Sequence, residues 1–149
     1  MKSITLLTLL TSLSISAFAA DSSTSKSYIQ LSEQKKLEQD KTWLRLMYAN
    51  EKGKSEVEYS GYFLSNQGKS DLKKELHSNI QALFQSAEPN QSVRCRFPAR
   101  SQWIMRKLEI QESQLPAVEC PEYDQWMGQI KPHKATLIYA TDFMGNPSS

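Results

Sequence analysis

The chain has two cysteines, and a bond between them would constrain its fold more than any other feature of the sequence. Cys95 stands between Arg94 and Arg96 in SVRCRFPARSQW, and Cys120 stands directly ahead of Pro121 in VECPEYDQWM. Read alone, each thiol looks reactive. Adjacent positive charge lowers a thiol pKa, and so does the N-terminal dipole of a helix that Pro121 is placed to begin. The choice between nucleophile and cross-link therefore rests on the compartment.

The compartment is read from the first residues, MKSITLLTLLTSLSISAFAA. Lys2 gives a short positive region, residues 4–18 an uncharged apolar run, and Ala17-Phe18-Ala19 a small-x-small cleavage signal. That order of zones is the layout of a secretory signal peptide, with cleavage before Ala20. The run is shorter than the roughly 20 apolar residues of a membrane span and is diluted by Thr and Ser. No cysteine follows it to carry a lipid. The expectation is export to a bacterial periplasm, with no stable membrane span after cleavage. In an oxidising space two accessible thiols pair, so the sequence predicts a Cys95–Cys120 disulfide. Closing that loop constrains the unfolded chain by about 3.5 kcal/mol on the chain-entropy model.

Periodicity then divides the chain. Residues 21–28, DSSTSKSY, are polar and low in complexity, and the segment 20–31 reads as a flexible arm. From residue 32 the pattern turns helical, with Leu37, Leu44, Met47 and Tyr48 on one face, Trp43 and Leu46 widening it, and Gly53 ending it. Residues 56–64, EVEYSGYFL, are aromatic enough for a short strand, but Gly61 breaks it and the segment reads as irregular and extended. The clearest helix is DLKKELHSNIQALFQS, capped by Asp71, striped by Leu72, Leu76, Ile80, Leu83 and Phe84, and stopped by Pro89. Pro98 starts a third helix that turns Trp103, Ile104 and Leu108 inward. Pro121 starts a fourth, which buries Tyr123, Trp126, Met127 and Ile130. ATLIYA, residues 135–140, is the best strand in the chain. The expected class is mainly α with minor β (α+β): about four helices, one disulfide and a C-terminal strand.

Candidate chemistry is sparse. His77 and His133 lie at no metal-ligand spacing from either cysteine, so no metal site and no cofactor is expected. A Cys120–His133 catalytic pair can be drawn on paper, yet the disulfide is the better account of Cys120. Glu119, Glu122 and Asp124 cluster where the dipole of a helix N-terminus favours acids, which explains them without acid–base work. Arg94, Arg96 and Arg100 of RCRFPAR are the candidate anion-binding residues. Trp43, Trp103 and Trp126 fall on apolar helix faces and read as core. Losing Lys2 takes the formal charge from +2 to +1, and no basic stripe interleaves with aromatics, so nucleic acid is not an expected partner. No glycine-rich phosphate loop and no Gly-x-Ser-x-Gly elbow appears.

Taken in order, WLRLMYAN, YFLSNQGKSDLKKEL, PNQSVRCRFPARSQWI, VECPEYDQWM and ATLIYATDFMGNPSS resemble the N-terminal part of the Lnb-like periplasmic domain family. The most specific pieces are CRFPAR, the C-P-E-[FY]-D-x-W block and the closing Asn-Pro-Ser-Ser. In that family the Asn-Pro segment leads to a Phe-Gly-His-type motif, and the catalytic assembly resembles a papain-like Cys–His site. The chain stops at Ser149, ahead of any such histidine, so the resemblance carries over no catalytic residue. Cys95 and Cys120 match cysteines of the leader region and not the family's nucleophile.

The resulting expectation is a signal peptide at 1–19, the arm at 20–31, a helical accessory domain at 32–134, and a strand and tail at 135–149 that begin a missing downstream domain. Such a chain is an exported, non-catalytic accessory or interaction domain, normally N-terminal to a papain-like envelope domain that is its expected partner. The alternative is a cysteine-dependent acyltransferase or amidase acting on lipoproteins or other envelope substrates.

Overall fold

A computed structural model describes residues 17–130, with side chains described from Ser23 onward. Among them run six α-helices: α1 (Ala17–Gln34), α2 (Lys41–Leu46), α3 (Leu72–Leu83), α4 (Val93–Arg96), α5 (Pro98–Leu108) and α6 (Pro121–Gln129). Short 3-10 turns lie at Leu37–Gln39, Ser60–Tyr62 and Glu112–Gln114. α3 is the centre, with α1 and α5 packed against it and the stretch from Leu37 to Met47 closing the remaining side.

The expected minor β component is corrected: among the described residues there is no strand, only one isolated antiparallel bridge, Ala49 with Ser55. Residues 56–64 do not need a strand partner because other groups take their polar atoms. The Leu64 and Ser65 N–H groups donate to the Glu75 carboxylate at 3.0 and 2.8 Å, and the Tyr62 hydroxyl donates to the Leu46 carbonyl. The proposed strand at residues 135–140 lies outside the described residues.

The polar arm is also corrected, for it is helix. Within α1, Ser32 is fully buried, its hydroxyl donating to the Ile29 carbonyl at 2.7 Å, and the Tyr28 ring stacks on Phe84 at 5.5 Å. Contact with α3 overrides weak local propensity here. The single helix expected from residue 32 is instead three pieces. Lys36 adopts a left-handed conformation (φ 51°), and Asp40 begins a new helix by accepting from the Thr42 N–H at 2.7 Å. Tyr48, also left-handed, points to solvent rather than inward.

α3 and α5 follow the sequence closely. Asp71 caps α3 by accepting from Lys74 N–H, and Leu72, Leu76, Ile80, Leu83 and Phe84 are all buried. Pro98 begins α5 and Trp103, Ile104 and Leu108 are buried. The Trp43 and Trp103 rings stack at 5.6 Å, and Trp43 Nε1 donates to the Leu72 carbonyl, so α2, α3 and α5 meet at one point.

Beside that point lies a charged cluster. Glu75 and Arg100 are almost wholly buried, with Arg100 Nη1 3.4 Å from Glu75 Oε1 and 2.7 Å from the Tyr62 carbonyl. The guanidinium sits between the Tyr62 and Phe97 rings, at 3.9 and 4.3 Å. Asn79 Nδ2 adds a bond to the same carboxylate at 2.8 Å. A Cβ at Gly68 would run into Glu75, which is why that turn carries no side chain.

Candidate functional site

The predicted disulfide is present: Cys95 and Cys120 are bonded, with their Cα atoms 5.3 Å apart, and neither cysteine is free. Cys95 belongs to α4 and Cys120 is the residue that precedes Pro121 at the start of α6. The bond therefore fastens the beginning of α6 to the bundle. Three hydrogen bonds reinforce it. The Asn90 N–H donates to the Glu119 carbonyl at 2.9 Å, the Glu122 N–H donates to Asn90 Oδ1 at 3.1 Å, and Arg94 Nη2 donates to the Pro116 carbonyl.

Beyond this first turn α6 leaves the bundle. None of its residues is buried, and the hydrophobic core ends at Leu115. The expectation that α6 buries Trp126, Met127 and Ile130 is corrected: they are 56%, 44% and 41% exposed. Their spacing is nevertheless that of a packing face, because residues i, i+3, i+4 and i+7 share one side of a helix. The face exists, but among the described residues no element lies opposite it. Trp43 and Trp103 are core as expected, and Trp126 is not.

Two grooves flank the disulfide. One, of about 250 Å³, lies between α5 and α6 and is bordered by Met105, Val118, Tyr123 and Asp124. The other, of about 280 Å³, is bordered by Asn90, Arg96, Glu122 and Trp126. Tyr123 borders both, its ring 6.0 Å from that of Trp126.

The structure separates the three arginines proposed for anion binding. Arg100 is spent internally on Glu75 and Tyr62. Arg94 is half-buried and ties down Pro116. Arg96 alone is exposed, leaning over Phe97 at 5.1 Å. The acids Glu119, Glu122 and Asp124 stay on the surface around the start of α6, as the dipole account requires. Sequence reading missed Glu75, whose burial is signalled only by its place in the apolar stripe one residue before Leu76. His133 lies outside the described residues, and with both sulfurs bonded a Cys120–His133 pair has no thiol. Among the described residues no group of acids, histidines and cysteines is placed to hold a metal ion, and no helix is long and apolar enough to cross a membrane.

His77 stands on the flank of α3, 3.5 Å from the Glu33 carboxylate. Burial pushes its imidazole below the usual range, against the opposing pull of Glu33. A folded pKa below the unfolded one means that the unfolded chain takes the proton first. Stability from this group is therefore present above the ordinary imidazole pKa of 6.5 and is lost as pH falls below it, through the depressed folded value. Glu33 and Asp40, held low by hydrogen bonds from Lys73 and Lys107, act in the same direction at more acidic pH. A melting-temperature series from pH 7 to 5 should fall more steeply for the natural protein than for His77→Gln. Parallel curves would mean that His77 titrates alike in both states.

A family model described as a domain of unknown function, DUF7843, matches residues 35–107. The match takes in α2 to α4 and all of α5 but Leu108, with Cys95 and the Glu75–Arg100 cluster, and leaves Cys120 and α6 outside. No curated protein and no solved structure matches the chain.

Proposed function

We propose that this protein is an exported, non-catalytic interaction domain of the bacterial envelope, and that α6 is the element with which it docks. The observation that carries the reading is the apolar face of α6, held away from the core of the described residues by a disulfide at its first turn. A face of this spacing on a helix without a packing partner serves association better than it serves folding. Export is supported by the leader layout and by the disulfide itself. Cleavage before Ala20 would take only Ala17–Ala19 from α1 and none of the core residues.

The motif resemblance to the Lnb-like periplasmic domains supplies the partner class, a papain-like envelope domain. The cysteine-dependent alternative is disfavoured because the chain has two cysteines and both are bonded to each other. Titration of the oxidised protein with a papain-like envelope protein of that family tests the reading. Trp126→Ala should weaken binding by about 2 kcal/mol or more, the size of an interface hot spot, while Tyr59→Ala, a more exposed aromatic elsewhere, should not. Equal binding by both variants would remove α6 from the interface.

A further inference from the structure

We infer that the segment docking on α6 is an amphipathic polypeptide helix with basic flanks. This rests on the reading of α6 as the docking element and adds the chemistry of what it takes. Successive residues of a helix turn by about 100°. Tyr123, Trp126 and Met127 therefore make one arc, continued by Ile130 just past the helix end, with Glu122 beyond one edge and Asp124 beyond the other. Both acids are exposed, and Glu119 precedes them on the same end. α6 itself carries no basic residue. An apolar strip bounded by carboxylates on both sides matches a strip bounded by Lys or Arg and repels one bounded by acids.

The surroundings fit the same occupant. The groove beside Met105 and Val118 has Glu112 and Asp124 on its border against Arg94, which is tied to the Pro116 carbonyl, and the groove beside Trp126 has Glu122 against Arg96. A helix longer than α6 can lie along the strip and place side chains in both grooves. Arg96, on the bundle side of the second groove, is the cation that borders it among the described residues.

Two other occupants fit less well. A lipid surface rich in anionic headgroups would meet Glu119, Glu122 and Asp124 together with Trp126, and the acids oppose that approach. A second copy would bring an identical acidic strip. A nine-residue helix is about 13 Å long, and paired with its own copy it covers far less than the roughly 800 Å² per partner of a stable interface.

The test uses the full oxidised chain and synthetic helical peptides of about 18 residues, with Leu at i, i+3, i+4 and i+7 positions. One peptide carries Lys at the flanking positions and the other Glu. Trp43 and Trp103 are buried, so a blue shift on binding reports on Trp126. The Lys-flanked peptide should bind at least about tenfold more tightly at low salt, and the difference should shrink as salt screens it. The double variant Glu122→Gln/Asp124→Asn should abolish the preference while keeping the shift. Equal affinities, tighter binding of the Glu-flanked peptide, or no binding of either would overturn the inference. So would a Trp126 shift on anionic vesicles alone, or concentration-dependent self-association removed by Trp126→Ser. A Trp126 shift that is indifferent to charge leaves α6 as the docking element and refutes only the basic partner. Failure of every peptide, together with an unaffected Trp126→Ala titration, would remove both.

Discussion

Replacing Arg100 with alanine is expected to destabilise the fold by about 3–5 kcal/mol, the cost of leaving a buried charge without its partner. Glu75 is fully buried and accepts from Leu64 N–H, Ser65 N–H, Asn79 Nδ2 and Arg100 Nη1. Those bonds hold the turn at Leu64 and Ser65 onto α3, while Arg100 reaches from α5 to the Tyr62 carbonyl. The guanidinium also fills the space between the Tyr62 and Phe97 rings, so alanine removes packing as well as charge. A domain of this size has only about 5–15 kcal/mol in total, so the variant should be marginal at best. Urea unfolding of Arg100→Ala beside Arg96→Ala measures it. The exposed Arg96 variant should stay within about 0.5 kcal/mol of the natural protein. A loss below about 1 kcal/mol at Arg100, less than a typical buried polar pair, would mean that the aromatic contacts and not the ion pair organise this corner.

The second large effect belongs to the disulfide. Cys95→Ser/Cys120→Ser opens a loop of sequence separation 25 and should cost about 3.5 kcal/mol through the unfolded state. For a domain of this size that corresponds to a fall of about 15–25 °C in melting temperature. The effect should also be uneven along the chain. The core runs from Leu37 to Leu115 and contains no residue of α6, so the bundle should keep its tertiary signals at room temperature. α6 would keep only the hydrogen bonds around Asn90 and Arg94 and should lose its fixed position. Near-ultraviolet circular dichroism and hydrogen exchange separate the two effects. Loss of the whole bundle on opening the bond would show that α6 is part of the core after all.

Much of the bundle was legible before any coordinates. α3 announces itself because capping residue, apolar stripe and stop signal agree, at Asp71, Leu72–Leu83 and Pro89, and α5 because Pro98 stands at its first turn ahead of the stripe Trp103, Ile104 and Leu108. The disulfide was legible from compartment and count. α1 was not, because its serines look like linker, and only the neighbouring α3 gives Tyr28 and Ser32 something to pack against. The segment near Tyr59, expected to be irregular and extended, forms no strand for a related reason. Its aromatic composition suits a sheet, but the Glu75 carboxylate, 11 residues beyond Leu64 and 10 beyond Ser65, takes its end through side-chain acceptors. α6 is the most instructive case. Period and spacing correctly gave its apolar face, and periodicity cannot say whether the surface opposite that face belongs to the same chain.

That last distinction is the centre of the account, and hydrogen exchange of the oxidised full chain, alone and with a papain-like envelope protein of the Lnb-like type, tests it most directly. The account predicts fast exchange in α6 of the free protein beside strong protection in α3 and α5. On binding, protection should appear in α6 with the bundle unchanged. Protection of α6 in the free chain equal to that of α3, or protection on binding that falls elsewhere, would contradict it.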